Sequence, residues 1–556
     1  MRRAPSLEPS CIIDAYCVRD RRFSDYDPSD IGVFGVLLGA MNATCAGHLL
    51  SVGLADLRGA LHFGVDEASW LGTAFNAAMM FIGPFSVYLG GLFGVRRVLL
   101  ACGALFTLVS VLLPFASTLP IMLALLVLAG LTAGTFYPLT LSIVLTNLPM
   151  KYVLLGIAMY AMDIVITLNI ATSLEAWYMA HLTWHWLFWN AAVLTPVMMV
   201  LIYFGIPWQP FPKPKEGQPK PSWQGFFYVS LGFALLYIAL AQGQRLNWMN
   251  SATIIALVVT GLFLLLAALV RHLRLPNPIV HLKFLMRRNI MLLGLTVVFF
   301  DFAILAPVFL LPNYLGSIKG YLPLQTGPVM LWAALPQCIF GLLAVYLLKY
   351  IDARLILTAG FTLIAIACLM NAQLSSAWSG GNFLPSQVVM SVGLALGFNA
   401  VVGAIVLELV NSGALSHPLD GLTFGGFFQT VRLFGGQIGT AFMVHFLSVR
   451  EQFHSNILGL GVQLGNTATQ QRLFLLSAAM HPHSTGANTA IGQALVILDL
   501  QVRQQAFVLA ITDSFRLIAW SNVCVLIVVA FVSRVPQFRQ VVAAAAEVGP
   551  KKSEKR

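Results

Sequence analysis

The chain has 556 residues, of which 58% are hydrophobic and only 10% charged, with a net charge of +11 and a mean hydropathy of +0.82. A soluble domain carries about a quarter charged residues, so these figures exclude a water-soluble enzyme or binding domain and indicate a polytopic membrane protein. Seven cysteines, at positions 11, 17, 45, 102, 338, 368 and 524, show no paired spacing, which argues against a disulfide framework or a zinc site.

Crossing a ~30 Å hydrocarbon core takes roughly 20 apolar residues, and a helix satisfies its own backbone there; the expected fold class is an all-α polytopic membrane protein. Residues 1–29 are polar and mixed in charge, with no apolar stretch ahead of a cleavage site. A cytoplasmic N-terminal tail is expected there, and no cleavable signal. Six apolar spans follow at 30–53, 70–91, 97–117, 121–146, 153–177 and 185–206, an N-terminal six-helix bundle over 30–206. Pro207–Ser222, PWQPFPKPKEGQPKPS, holds six Pro and three Lys in sixteen residues. Each proline removes a donor and fixes φ, so 207–222 reads as an extended cytoplasmic linker. Two further spans, 223–243 and 250–270, and a basic loop occupy 223–288. Six more spans, at 289–313, 325–348, 354–371, 385–410, 421–447 and 513–533, make a C-terminal bundle over 289–533, followed by a basic tail at 534–556. The layout is fourteen spans, arranged six, two, six.

Lys and Arg set the orientation. With the N-terminus cytoplasmic, 24 of the 32 lie in inner segments and six in outer ones, with Arg432 and Arg516 inside spans. Both termini and the linker are therefore expected inside, and the positive charge faces anionic lipid, not nucleic acid. Residues 448–512 then form an outer loop too polar to span, with apolar helical runs at 472–480 and 491–511, the second continuing into the last span as one long helix.

The chain carries LADLRGALHFGVDEASW (54–70), LAGLTAGTFYPLT (128–140), LTWHWLFWN (182–190), ALAQGQRLNW (239–248) and FFQTVRLFGGQIGTAFMVHFLSVREQFHSNIL (427–458). With these stretches and the six-two-six layout, it resembles the fourteen-span drug:proton antiporters of the major facilitator superfamily, the EmrB/QacA type, over roughly residues 30–535. The resemblance implies a major facilitator fold, with two six-helix bundles and two extra central helices. It also implies proton-coupled export of amphipathic or aromatic compounds across a bacterial inner membrane, with no cofactor. A periplasmic membrane-fusion adaptor and an outer-membrane channel are the partners implied for the outer loop. Spans one, four, nine and twelve would line the cavity, placing Asn42, His48, Asp301 and Asn399 there. Departures are visible: Gly91 stands where the loop after span two usually has an acid, Leu126 and Ala129 replace the span-four arginine region, Ala171-Thr172 the span-five Gly-Pro, and Ala46 the span-one acid. Transport is implied more firmly than antiport. A lipid or precursor translocase, or a non-transporting receptor or scaffold, stays open.

Ionisable residues inside the membrane cost about 2.5–3.5 kcal/mol each at a helix centre. Asp163, Asp301 and Arg432 lie ten, twelve and eleven residues into spans five, nine and thirteen, about 15–18 Å deep at 1.5 Å per residue. All three fall near the midplane. Tyr160, Asp163 and Thr167 share one helical face, suited to a polar cavity. Asp301 has only Val297, Val298, Ile304 and Leu305 around it on its own helix, a desolvated setting that suits a proton carrier; Asp163 is the matching deep acid of the first bundle, and the two are expected to carry the coupling proton. Arg432, with Gln429 one turn back and Gly435, Gly436 and Gly439 ahead, suits a close bundle contact or charge pair. Glu175 and Glu408 lie near span ends and are expected at the water interface. Gly130/Gly134, Gly393/Gly397 and Gly435/Gly439 are close-crossing candidates, and Pro84, Pro138, Pro196, Pro307 and Pro336 kink candidates. The loops after spans two and ten, FGVRRVLL (93–100) and IDARLIL (351–357), echo one another with a basic cluster. No nucleotide-binding Gly-Lys-Ser/Thr loop, His-Glu-x-x-His or nucleophile elbow occurs, so an enzyme is not expected and energy would come from a gradient.

Overall fold

The computed structural model describes residues 28–148, 150–208, 223–274, 287–411, 418–463, 465–483 and 487–534. Most of the linker 207–222, the tails 1–27 and 535–556, and 275–286 of the basic loop lie outside the described residues.

The N-terminal half holds α1 (Pro28–Val52), the short α2 (Leu54–Leu61), α3 (Val65–Phe93), α4 (Val95–Leu112), α5 (Leu119–Ala133), α6 (Phe136–Asn147), α7 (Met150–His181) and α8 (Trp186–Gly205). Next come α9 (Trp223–Gln242) and α10 (Ala252–Arg274). The C-terminal half holds α11 (Arg288–Ala303), α12 (Leu311–Lys319), α13 (Pro323–Leu348), α14 (Ala353–Asn371), α15 (Leu384–Asn411), α16 (Pro418–Gly461), α17 (Thr467–Met480) and α18 (Ala487–Ala530). Thirteen helical segments among the described residues are long and apolar enough to cross a membrane. The segment expected as the thirteenth span, 421–447, is helical within α16 but is not one of them. Its Gln429, Thr430, Arg432, Gln437 and glycines dilute its hydropathy, and protein neighbours cover it: α3, α6, α11 and α18 all pack against it.

Two expected spans are interrupted. Span four breaks at Gly134-Thr135 between α5 and α6, four residues before Pro138, which can give no N–H to the turn behind it. Span nine loosens into a π-turn at Ala306–Leu310 around Pro307, an irregularity common at functional sites. Pro84, Pro196 and Pro336 lie inside continuous helices.

Small residues set the crossings. A methyl group at Gly134 would stand 2.8 Å from Met79 Cα, and one at Gly360 2.6 Å from the Gly397 nitrogen, so α5 on α3 and α14 on α15 meet backbone to backbone. The two basic turns do matching jobs. Arg96 Nη2 donates to the Tyr203 carbonyl at the end of α8 (2.7 Å), and Arg354 Nη1 to the Val532 carbonyl just past α18 (3.3 Å). Each half thus ties the basic turn after its second span to the end of its last span. Burial pushes the Asp352 carboxyl up, but hydrogen bonds from the Arg354 side chain and backbone, with the charges of Arg354 and Arg534, more than reverse this and hold it below the usual carboxylate range.

The extra pair sits on the side where the halves meet. α9 packs on α3, α10 and α16. Toward the first half it makes a polar cluster: Gln242 Nε2 to Thr73 Oγ1 (2.6 Å) and, just beyond the helix, Arg245 Nη1 to Asp66 Oδ1 (2.7 Å), with ring pairs Phe227–Phe81 and Phe226–Tyr88. Toward the second half it offers the Phe233–Phe434 edge contact, and Gln244 meets His445 at 2.9 Å.

α16 and α18 each run 44 residues, about 66 Å, twice the thickness of a bilayer core. Their extensions are joined where Asp513 accepts from Arg450 Nε (2.8 Å) and meets His454 Nε2 (2.7 Å). Phe453, Ile457, Leu460, Phe474, Leu475 and Val496 stand exposed along this hairpin.

Candidate functional site

Arg432 projects from α16, in the second half, into the first half. Its guanidinium lies 4.5 Å from the ring centroid of Tyr137 on α6, and Nη2 donates to Gln429 Oε1 at 3.4 Å. Gln429 in turn lies close to Gly83 of α3. Arg432 can come this close because α16 has glycine where it crosses α6: a methyl at Gly425 would stand 2.5 Å from the Pro138 carbonyl oxygen.

The two deep acids flank this cation from opposite halves. Asp163 on α7 and Asp301 on α11 both lie within electrostatic reach of Arg432, and Tyr137 lies within reach of all three. Thr167 Oγ1 donates to Asp163 Oδ1 at 3.3 Å. Asp301 is beside Gly436, where a methyl would sit 3.9 Å from its Cβ. Neither acid forms an ion pair within 4 Å of Arg432 among the described residues. Asp163 Oδ2, Asp301 Oδ2, Arg432 Nε, Gln429 Nε2 and the hydroxyls of Tyr137 and Tyr160 are all buried without a hydrogen-bond partner among the described residues. Buried polar atoms are normally satisfied, so six unpartnered ones in one cluster single this place out. With both acids ionised the trio carries one excess negative charge; a single proton, or one cationic ligand, balances it.

The residues expected from the sequence divide into two groups. Asp163, Asp301, Arg432, Gln429, Tyr160 and Thr167 come together, Tyr160 through its ring at 4.9 Å from Tyr137. Asn42 is elsewhere: its Nδ2 donates to Thr195 Oγ1 of α8 at 2.8 Å, a bond between packed helices. Asn399 donates to its own Ala395 carbonyl at 2.7 Å, next to Phe398, which stacks on Phe300. His48 is half-buried on the stripe of α1 that includes Met41 and Thr44, and Thr44 lies beside Tyr137. Tyr137 and Thr44 are the participants that sequence reading missed. The only signal for Tyr137 was the stretch GTFYPLT itself.

Of the two acids expected at the water interface, Glu408 is half-buried and meets Asn289 Nδ2 at 3.5 Å. Glu175 corrects the expectation: it is fully buried, with both carboxylate oxygens unpartnered. Position along a helix measures depth in the membrane and is blind to a neighbouring helix folded over the side.

Known proteins resemble the chain along most of its length. It is 23% identical to the fatty acid resistance protein FarB of Neisseria gonorrhoeae over 84% of this chain and 89% of that protein. It is 24% identical to the multidrug export protein EmrB of Haemophilus influenzae, over 87% and 91%. Among solved structures it matches the human organic anion transporter MFSD10 (TM-score 0.53, 13% identity, 89% of this chain and 100% of that one). It also matches a double-tryptophan mutant of XylE (TM-score 0.54, 13% identity, 93% and 100%). The family model of the Major Facilitator Superfamily covers residues 33–440. With two helical halves meeting around buried charged groups, this multi-pass chain belongs to the Major Facilitator Superfamily.

Proposed function

We propose that the protein is a secondary active exporter, a carrier and not an enzyme, that moves amphipathic or aromatic compounds out of the cell in exchange for protons. The observation that carries this reading is the reach of Arg432 from one half to the other between two membrane-embedded acids, one from each half. Export against a gradient needs a charge that differs between inward-facing and outward-facing states. A trio with one excess negative charge, split across the two moving bodies, supplies it: a proton on either acid changes which acid holds Arg432. In this mechanism Asp163 and Asp301 carry the proton, while Arg432 and Gln429 hold the bundle contact. Tyr160, Thr167 and His48 border the substrate path. The relatives named as multidrug and fatty acid resistance proteins support small, amphipathic substrates. Reconstituted protein given a proton gradient should show gradient-dependent flux of such a compound; a complete lack of flux under either gradient polarity would favour a static scaffold.

The same reading places the chain in a bacterial inner membrane with both termini and the linker inside. Single cysteines at Lys215 and Ser484, both outside the described residues, in a background lacking native cysteines, report this. The first should be protected from an impermeant thiol reagent on intact cells and the second labelled; the reverse pattern would invert the topology.

The protruding hairpin of α16, α17 and α18 is our candidate for the docking surface of a periplasmic adaptor that leads to an outer-membrane channel. Its support is the row of exposed apolar side chains from Phe453 to Val496. Deleting 466–488 should abolish adaptor co-purification while the membrane portion stays folded. Unchanged co-purification would remove the docking role.

A further inference from the structure

Glu175 has no place in the site described above. It lies twelve residues further along α7 than Asp163, about 18 Å along the helix, fully buried, with neither carboxylate oxygen hydrogen-bonded. An ionised carboxylate left unpaired in a low-dielectric interior is among the costliest groups a protein can hold. What faces it is a second acid. Asp56, on α2, lies within hydrogen-bonding and electrostatic reach of Glu175, while its own side chain is exposed. α1, α6, α8, α13 and α15 all pack against α7, and the charge that acts on Glu175 is that of Asp56. The other titratable groups at this end, His48 on α1, Arg58 on α2 and Tyr178 on α7, form no hydrogen bond or ion pair with it; the Tyr178 hydroxyl donates to Asn190 Oδ1 at 2.8 Å.

Two neighbouring ionised carboxylates are acceptors only and repel one another. One proton between them turns the repulsion into an O–H···O⁻ hydrogen bond, satisfies the buried Glu175, and leaves the remaining charge on the wetted Asp56. We propose that Glu175 and Asp56 form a proton-sharing carboxyl pair, a second proton site distinct from the central trio, through which the outer aqueous side exchanges protons with the first bundle. Because α2 carries Asp56 and α7 carries both Glu175 and Asp163, loading the pair ties the position of α2 to the helix that holds the central acid. The use of the site in transport rests on the proton-coupled reading given above; its existence does not.

Infrared difference spectra of the purified, full-length protein between acidic and alkaline buffer test the pair directly. The wild type should show a protonated-carboxyl band that is lost in Glu175→Gln and also lost or shifted in Asp56→Asn, yet kept in Asp163→Asn. Glutamine mimics the neutral acid; should that variant fail to fold, Asp56→Asn, at an exposed position, still decides. A band unchanged in Asp56→Asn, or in both variants, overturns the shared proton. In proteoliposomes, Glu175→Gln should displace the pH profile of substrate-driven proton movement, whereas Asp301→Asn removes the movement altogether. An unaltered profile with the band lost would refute the exchange route. If wild type moves no protons at all, the export reading fails while the band still reports on the pair.

Discussion

Proteoliposomes carrying Asp301→Asn are expected to lose substrate-driven proton movement to the level of protein-free vesicles, and Asp163→Asn to do the same, with substrate binding retained in both. The reason lies in the charge of the trio. Asparagine removes the only feature that a proton can change at that position and leaves size and shape almost intact. It also leaves Arg432 balanced by the remaining acid, so neither single variant should misfold. The double variant isolates Arg432 without a counter-charge and should be less stable than either single one. Comparison at equal expression decides the matter. Wild-type proton exchange in both single variants and in the double would make these carboxyl groups structural.

A second large effect concerns Arg432. Replacing it with methionine keeps length and removes charge, leaving Asp163 and Asp301 without their common cation. Breaking a buried charge cluster by deleting one partner typically costs about 3–5 kcal/mol, and the stacking on Tyr137 adds up to about 2 kcal/mol when desolvated. Against a total stability of about 5–15 kcal/mol for a typical domain, Arg432→Met should sharply lower folded yield and thermal stability. Adding Asp163→Asn or Asp301→Asn to it should restore part of both. Arg432→Lys keeps the charge but not the flat face over the Tyr137 ring, and should fall in between. Thermal unfolding of the detergent-solubilised protein reads all of these. Wild-type stability for Arg432→Met would mean that no energetic tie crosses the two halves at this point.

Some of this was legible in the residues alone. Lipid is a severe filter for charge, so Asp163, Asp301 and Arg432 stood out by depth without any knowledge of how helices face. Facing is what the linear chain conceals. Asn42 and Thr44 are two residues apart in α1, hence on nearly opposite sides, and only packing shows that Thr44 faces Tyr137 while Asn42 faces Thr195. A helix wrapped by protein on most sides has no strong apolar stripe to reveal its orientation. The same physics explains why the segment expected as the thirteenth span, 421–447, falls below the hydropathy of the other spans, since α16 is largely packed against its neighbours and can carry glutamine, arginine and glycine. Glu175 was misplaced because counting along α7 takes no account of the helices packed around it, α1, α6, α8, α13 and α15.

The extra pair of helices has a mechanical consequence. A helix fastened to two bodies that rock cannot keep both fastenings. α9 grips α3 along its whole length, from Phe226 against Tyr88 to Gln242 on Thr73, with Arg245 on Asp66 just beyond, while its contact with α16 is the smaller apolar one at Leu433 and Phe434, and Gln244 and Trp248 beyond it meet the His445 ring. The weaker grip yields first. In the exporter proposed above, the pair is expected to travel with the N-terminal half, with Phe233 and Gln244 as the bearing on which Phe434 and His445 pass. The mirror likeness of a two-bundle carrier is thereby broken: one flank of the seam opens into bare lipid, and the other opens only behind a moving shutter.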